Sequence, residues 1–285
     1  MLSTKTLPEV FVYMKTNKNI CIMGGYDDLS KSFFDDLQKS ESKSIFLNFN
    51  KIKSKKKNIF NLEIYELKKI LHILRLNKVS DIILLGKIDR PNLKNFKLDG
   101  EIDKYLPALH NAYKKGDDFL LKSILNIFKK YGYFIKSPLE LSTSFTLSKK
   151  DLKVDPNDRL KLDIKKGKNI LLALSRFDNA QSIVIIDGYI MAIEAAEGTD
   201  QMLERVIKIR ERNMTINETR GVLVKMAKKN QSKLVDLPVL GPKTIDIVSK
   251  ANLASIALDP LSTLILKKKL FLKKAAKENI DLFLV

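Results

Sequence analysis

The sequence predicts an α/β protein, with an N-terminal Rossmann-like parallel-sheet domain followed by a mixed α/β C-terminal domain. Three observations carry the prediction. In the first half, short apolar runs alternate with segments of helical period, the pattern of strands joined by crossover helices. Glycines stand directly after two of those runs, at Gly24-Gly25 and at Gly86. In the second half, two apolar runs flank Asp187-Gly188, a two-residue hairpin signal.

Taken in order, residues 20–23 read as a buried strand, Gly24-Gly25 as its turn and 29–37 as a helix. A second strand is expected at 45–49. A helix over 63–76 places Ile64, Leu67, Ile70, Leu71 and Leu74 on one face, and a third strand follows at 81–85. Helices over 102–114 and 118–130 are joined by Lys115-Gly116-Asp117-Asp118. Gly ends the first and Asp caps the second, unless those aspartates face a ligand. Residues 133–155 mix Ser, Thr, Lys and Pro without a period and hold the domain boundary. Beyond it come a helix over 158–177, the hairpin 182–186 and 189–195, and a helix over 201–212 with Met202, Val206 and Ile209 on one face. Strands at 221–226, 254–258 and 281–285 then alternate with helices at 243–250 and 268–278. The expected division is an extension over 1–18, a nucleotide-binding-type domain over 19–148 and a catalytic domain over 149–285, in keeping with 285 residues and two cores.

Cys21 is the only cysteine and lies inside an apolar run, so no disulfide framework exists and a reducing, cytoplasmic setting is expected. No apolar run reaches the roughly 18–20 residues of a membrane helix. Net charge is +19, from 52 Lys and Arg against 33 Asp and Glu, with Lys runs at 53–57, 149–150, 165–166, 228–229, 267–269 and 273–274. Such a field attracts phosphates of any kind. Arg is scarce beside Lys, aromatics are not interleaved with the basic runs, and no zinc-finger or RNA-binding aromatic signature occurs, so no nucleic acid partner is expected. The skew toward Lys, Ile and Asn is that of an AT-rich coding sequence, and the remaining charge suits an anionic membrane surface.

Chemistry concentrates in the second half. Residues 193–203 carry Glu194, Glu197, Gly198, Thr199 and Asp200 between a strand-like and a helix-like run, which gathers oxygen ligands and backbone N–H groups at one point. Helix capping accounts for Thr199 or Asp200 and leaves Glu194 and Glu197 unexplained. Lys225, Lys228, Lys229 and Lys233 precede Asp236-Leu237-Pro238, so a carboxylate and several cations either converge on an anion or form a solvated basic loop. Gly24-Gly25 serves either a phosphate or simply a tight strand-to-helix turn. His72 and His110 have no partner at metal spacing. No Gly-x-Ser-x-Gly elbow and no Walker A loop occurs, which excludes the serine hydrolases of that type and the P-loop ATPases.

Over 20–285 these motifs, in this order, resemble the UDP-2,3-diacylglucosamine pyrophosphatase family of lipid A biosynthesis, the metal-dependent type unrelated to calcineurin-like phosphoesterases. The resemblance is carried by Met23-Gly24-Gly25, the segment 86–91 with Arg90, Lys115-Gly116-Asp117-Asp118 with Leu120-Leu121, and Glu194 to Asp200. It continues through 221–225 and 231–241 with Asp236-Leu237-Pro238. It implies hydrolysis of UDP-2,3-diacylglucosamine to UMP and 2,3-diacylglucosamine 1-phosphate with Mg²⁺, water attacking the β-phosphorus and the lipid product held between the domains. It also implies a homodimer, cytoplasmic and peripheral to the inner membrane. The family's essential aspartate matches Asp236, expected to hold Mg²⁺ or activate water. Glu197 and Asp200 are expected to join it in catalysis, with Asp200 a second metal ligand. Gly24, Gly25, Arg90, Asp117, Asp118, Thr199, Lys225 and Lys228 are expected to bind substrate. The chain departs from the family at Tyr26-Asp27-Asp28-Leu29, where a third glycine and Leu-Pro are usual. It departs again at Lys229, Ser232 and Leu234, where Pro, an acid and Arg are usual. Competing readings are a nucleic-acid-binding module, favoured by charge alone, and a dinucleotide-binding Rossmann protein without hydrolase activity.

Overall fold

The computed structural model describes residues 18–39, 43–50, 56–88, 100–152, 154–177, 179–213, 219–228, 234 and 237–285, with backbone alone at Asp117 and Asp118. Arg90, Asp236 and all of the expected extension except Lys18 lie outside the described residues. The chain divides into two compact units, Met1–Ser142 and Thr143–Val285.

In the first unit β1 (Asn19–Gly24), α1 (Asp28–Leu37), β2 (Ser44–Asn48), β3 (Ile59–Asn61), α2 (Leu67–Leu76) and β4 (Val79–Leu84) follow in sequence. They are followed by α3 (Leu106–Lys115), α4 (Asp117–Lys130), β5 (Phe134–Ile135) and α5 (Pro138–Leu141). The sheet order is β3-β2-β1-β4-β5, and every pairing is parallel. This is the doubly wound order that the alternation predicts. Residues 20–23 are at most 2% exposed, as strands covered on both faces require. Burial also pushes the Cys21 thiol pKa far above its ordinary value, which leaves it protonated and inert. Leu67, Ile70, Leu71 and Leu74 form the buried stripe of α2. That helix starts four residues later than its periodicity predicts, because the Glu66 carboxylate accepts the Glu63 N–H at 2.8 Å and closes a separate turn ahead of it. Residues 102–105 form a 3₁₀ turn before α3 instead of its first turn. Gly116, at φ 113°, ends α3 and also precedes α4, so Asp117 is the first helical residue, not the cap.

The second unit holds α6 (Asp158–Leu174), β6 (Ser182–Ile186), β7 (Tyr189–Ile193), α7 (Thr199–Arg212), β8 (Val222–Lys225), β9 (Val239–Leu240) and α8 (Pro242–Lys250). It closes with β10 (Ser255–Leu258), β11 (Leu264–Ile265), α9 (Lys268–Lys277) and β12 (Asp281–Leu284). Its main sheet runs β12-β10-β8-β6-β7; β12, β10 and β8 are parallel, and β6 runs antiparallel to both of its neighbours, β8 and β7. The hairpin turn takes positive φ at both Asp187 (53°) and Gly188 (81°), the primed geometry that Asp-Gly favours. Arg159 and Arg220 clamp Asp187 at 2.7 and 2.8 Å. One face of the sheet is closed by Met202, Leu203 and Val206 of α7 with Ile245, Val248 and Phe271. The other face packs on α6 around Leu171. Each such side chain contributes roughly 1.5–3 kcal/mol by leaving water. Among the described residues no helix is long and apolar enough to cross a membrane.

Candidate active site

Strand direction brings Lys225, Glu194 and Asp259 to one end of the second unit's main sheet. β8 and β10 deliver their carboxyl ends there, and antiparallel β6 begins there, with Ser182 in register with Lys225. β7 ends there too, Ile193 opposite Ile183, and its chain turns through 194–198 into α7. In α/β sheets this is the end at which ligands bind.

Lys225 is the centre of the cluster. Its side chain is 3% exposed and its ammonium donates to Thr199 Oγ1 at 2.6 Å and Ser182 Oγ at 3.0 Å. Glu194, 13% exposed, places Oε2 3.6 Å from Lys225 Nζ and accepts the Thr199 hydroxyl at 3.1 Å. Burying an ammonium without a counter-charge is costly, so the sequence can place Lys at a strand end inside the core only because Glu194 closes the same space. The Glu194 N–H donates to the Ser182 carbonyl at 2.9 Å, fixing the carboxylate's base to the strand beneath it.

The other two acids of the loop are paired as well. Arg205 reaches back from α7 to Glu197 Oε1 at 2.6 Å and to the Ile193 carbonyl at 3.0 Å. The Arg205 hydrogen bond holds the Glu197 carboxyl below the usual carboxylate range. Asp200 meets Lys243 of α8 at 2.9 Å, and that contact pushes the Lys243 ammonium pKa upward. Gly198, at φ 81°, precedes α7 without any side-chain cap, so Thr199 is its first residue and neither Thr199 nor Asp200 caps it. Asp259, directly after β10, completes the sheet end. It donates its N–H to the Lys225 carbonyl at 3.1 Å, and its carboxylate accepts Leu261 N–H and Ser262 Oγ at 3.0 and 2.6 Å.

Of the residues expected from sequence, Glu197, Thr199, Asp200 and Lys225 therefore share this end, and Lys228 is half-buried three residues past β8. Lys225 is a core cation, 3% exposed, at the end of the strand expected over 221–226. Gly24 and Gly25 belong to the first unit and have a packing role there. A β-carbon on either would lie 2.0 Å from a main-chain oxygen, of Leu85 and Lys87 respectively. The N-terminus of α1 is filled by the chain's own Asp27, which accepts from Leu29, Ser30 and Lys87 N–H groups at 3.1, 3.0 and 2.7 Å. Tyr26 stacks edge-on against Phe46 at 5.1 Å, away from that terminus. Asp117 and Asp118 stand in the first turn of α4, in the first unit. Ser182 and Asp259 carry no sequence motif; their positions at a strand start and a strand end are the only signal.

The donor set of the second unit is oxygen only, which suits a hard cation held by one or two carboxylates and substrate phosphates. Among the described residues, no three His, Cys, Asp or Glu side chains are grouped to hold a metal by themselves.

Fold and site define the class: a two-unit α/β protein with a polar, cation-bearing end to its second sheet. Residues 19–145 match the LpxI N-terminal domain and residues 150–283 the LpxI C-terminal domain. The chain is also 34% identical over 222 residues to the UDP-2,3-diacylglucosamine pyrophosphatase LpxI of Caulobacter vibrioides (strain ATCC 19089 / CIP 103742 / CB 15), covering 77% of this chain and 79% of that protein. The chain belongs to the LpxI family.

Proposed function

We propose that this protein hydrolyses the pyrophosphate bond of UDP-2,3-diacylglucosamine, releasing UMP and 2,3-diacylglucosamine 1-phosphate. The observation that carries the reading is the match of both halves of the chain to LpxI domains, reinforced by the relationship to the Caulobacter pyrophosphatase. The filled N-terminus of α1 speaks against the dinucleotide-binding alternative.

A pyrophosphate is protected from water mainly by its own negative charge, so catalysis requires positive charge at its oxygens and an oriented water. Lys225, buried beside Thr199, and Lys228 supply charge from β8 and the segment after it. Asp236 orients the attacking water and receives its proton. The bond formed joins the water oxygen to the β-phosphorus; the bond broken is that from the β-phosphorus to the bridging oxygen, which leaves with UMP. Asp236 and Asp200 would hold Mg²⁺, which when bound neutralises phosphate oxygens. The Asp200 partner Lys243 has a 76% exposed side chain, and an exposed pair of this kind is weak enough for a divalent cation to displace. Glu197, ionised through Arg205, keeps the loop in shape beside them. Arg90, Asp117 and Asp118 are substrate-binding residues in this reading, and 19–148 and 149–285 act as its two domains. The acyl chains bring substrate from a bilayer, so the protein works in the cytoplasm at the inner-membrane surface, with a net charge of +19 to favour anionic headgroups. A homodimer is the assembly that the family resemblance implies.

The test is turnover of UDP-2,3-diacylglucosamine in ¹⁸O-labelled water with Mg²⁺, followed by mass spectrometry. The expected result is UMP without label and labelled sugar phosphate. Label in UMP overturns attack at the β-phosphorus, and no UMP from folded protein overturns the activity.

A further inference from the structure

The hydroxyl protons of the buried cluster can be assigned, and the assignment gives Glu194 and Ser182 a role. Thr199 has one hydroxyl proton, and it goes to Glu194 Oε2. Its lone pairs therefore face the two remaining neighbours, Lys225 Nζ at 2.6 Å and Ser182 Oγ at 3.2 Å. Ser182 must then be the donor in the Ser182–Thr199 contact while accepting from Lys225 at 3.0 Å. Every proton runs one way, from Lys225 and Ser182 through Thr199 to Glu194. The carboxylate is the only pure acceptor in the chain, so it sets the direction of the rest.

We infer that Glu194 and Ser182 are positioning residues: they hold the Thr199 hydroxyl and the Lys225 ammonium in the one arrangement that serves the pyrophosphate, without touching it. The inference rests on the pyrophosphatase reading above. Three features support it. Ser182 is fully buried, and the Glu194 side chain is only 13% exposed. Glu194 is anchored at its own N–H to the residue whose side chain shares the ammonium. Glu194 also opens the loop that ends at Thr199, so one carboxylate ties both ends of that loop to β8. A preorganised charge costs no rearrangement when the reaction occurs, and its benefit falls on kcat more than on substrate affinity.

The experiment measures kcat and KM for UMP release by wild type, Glu194→Gln, Ser182→Ala, Thr199→Val and Glu194→Gln/Thr199→Val, with thermal unfolding of each. Glu194→Gln keeps the size of the side chain and removes its charge. The expected result is a fall in kcat of about tenfold or more with KM within about threefold. A smaller fall of the same kind is expected for Ser182→Ala. Because Glu194 acts partly through Thr199 and partly on Lys225 directly, Glu194→Gln has a smaller further effect in the Thr199→Val background than in wild type. Should Glu194→Gln fail to fold, Ser182→Ala carries the same test. A kcat within about twofold of wild type in the folded variant, or a loss undiminished in the Thr199→Val background, overturns the inference while leaving the activity standing. Wild type without UMP release overturns both.

Discussion

Replacing Lys225 by Met removes the ammonium and keeps most of the buried stem. At 3.6 Å from Glu194, an effective dielectric of about 20 gives an attraction of roughly 4–5 kcal/mol, offset in part by the cost of desolvating the ammonium. The variant strands the Glu194 carboxylate and two hydroxyls that lose their donor, and breaking one side of a buried pair costs about 3–5 kcal/mol. The 13% exposure of Glu194 lets water reach the carboxylate, which places the expected loss near the lower figure. For an unfolding unit the size of Thr143–Val285 a loss of about 3 kcal/mol lowers Tm by roughly 10 °C. Thermal unfolding followed by circular dichroism reads it directly. Lys225→Met/Glu194→Gln should regain a substantial part of the loss, because no uncompensated charge remains. A Tm for Lys225→Met within about 2 °C of wild type, under 1 kcal/mol on the same scale, refutes the buried pair.

Gly24→Ala drives a β-carbon to 2.0 Å from the Leu85 carbonyl oxygen and should cost about 3 kcal/mol by thermal unfolding, since only backbone can yield. Asp200→Asn should raise the Mg²⁺ concentration needed for half-maximal UMP release, while Lys243→Ala, which removes a competing cation at 2.9 Å, should lower it. Asp151 is paired with Lys268 at 2.9 Å. Partial burial raises its pKa, but hydrogen bonds from Lys268 and Ser148 outweigh that and leave it below the ordinary 3.8. A lowered carboxyl pKa adds stability above the ordinary value and loses it as pH falls through the folded one. Asp151→Asn should therefore be about 1 kcal/mol less stable at pH 7, and urea titrations should show that difference vanishing below pH 3.8.

The alternation of apolar runs and helical periods makes the parallel sheet of the first half legible, and the Asp-Gly pair one hairpin of the second, because each depends on local pattern; the strand order of the second sheet, β12-β10-β8-β6-β7, depends on long-range pairing and is not legible in the sequence. The strands β3, β5, β9 and β11 are two or three residues long and have no period to read; they exist because a neighbouring strand offers them partners. The loop from Glu194 to Asp200 stands out in the sequence by composition. Its pairing does not, since Lys225, Arg205 and Lys243 come from three separate elements and 8 to 43 residues away. Lys225 shows the limit most clearly: with Lys228, Lys229 and Lys233 it reads either as one of several cations converging on an anion or as part of a solvated basic loop, and its register with Ser182 shows its place at the sheet end. Gly24-Gly25 reads in the sequence either as a phosphate contact or as a tight strand-to-helix turn, and the Leu85 and Lys87 carbonyl oxygens show the close approach that requires glycine at both positions.

UMP release from UDP-2,3-diacylglucosamine by wild type and Asp236→Ala, each with Mg²⁺ and with a chelator, tests the central claim most directly. The account predicts release by wild type with Mg²⁺ alone, lost on chelation and lost in a folded Asp236→Ala. Undiminished release by Asp236→Ala, or none from folded wild type with Mg²⁺, would contradict it.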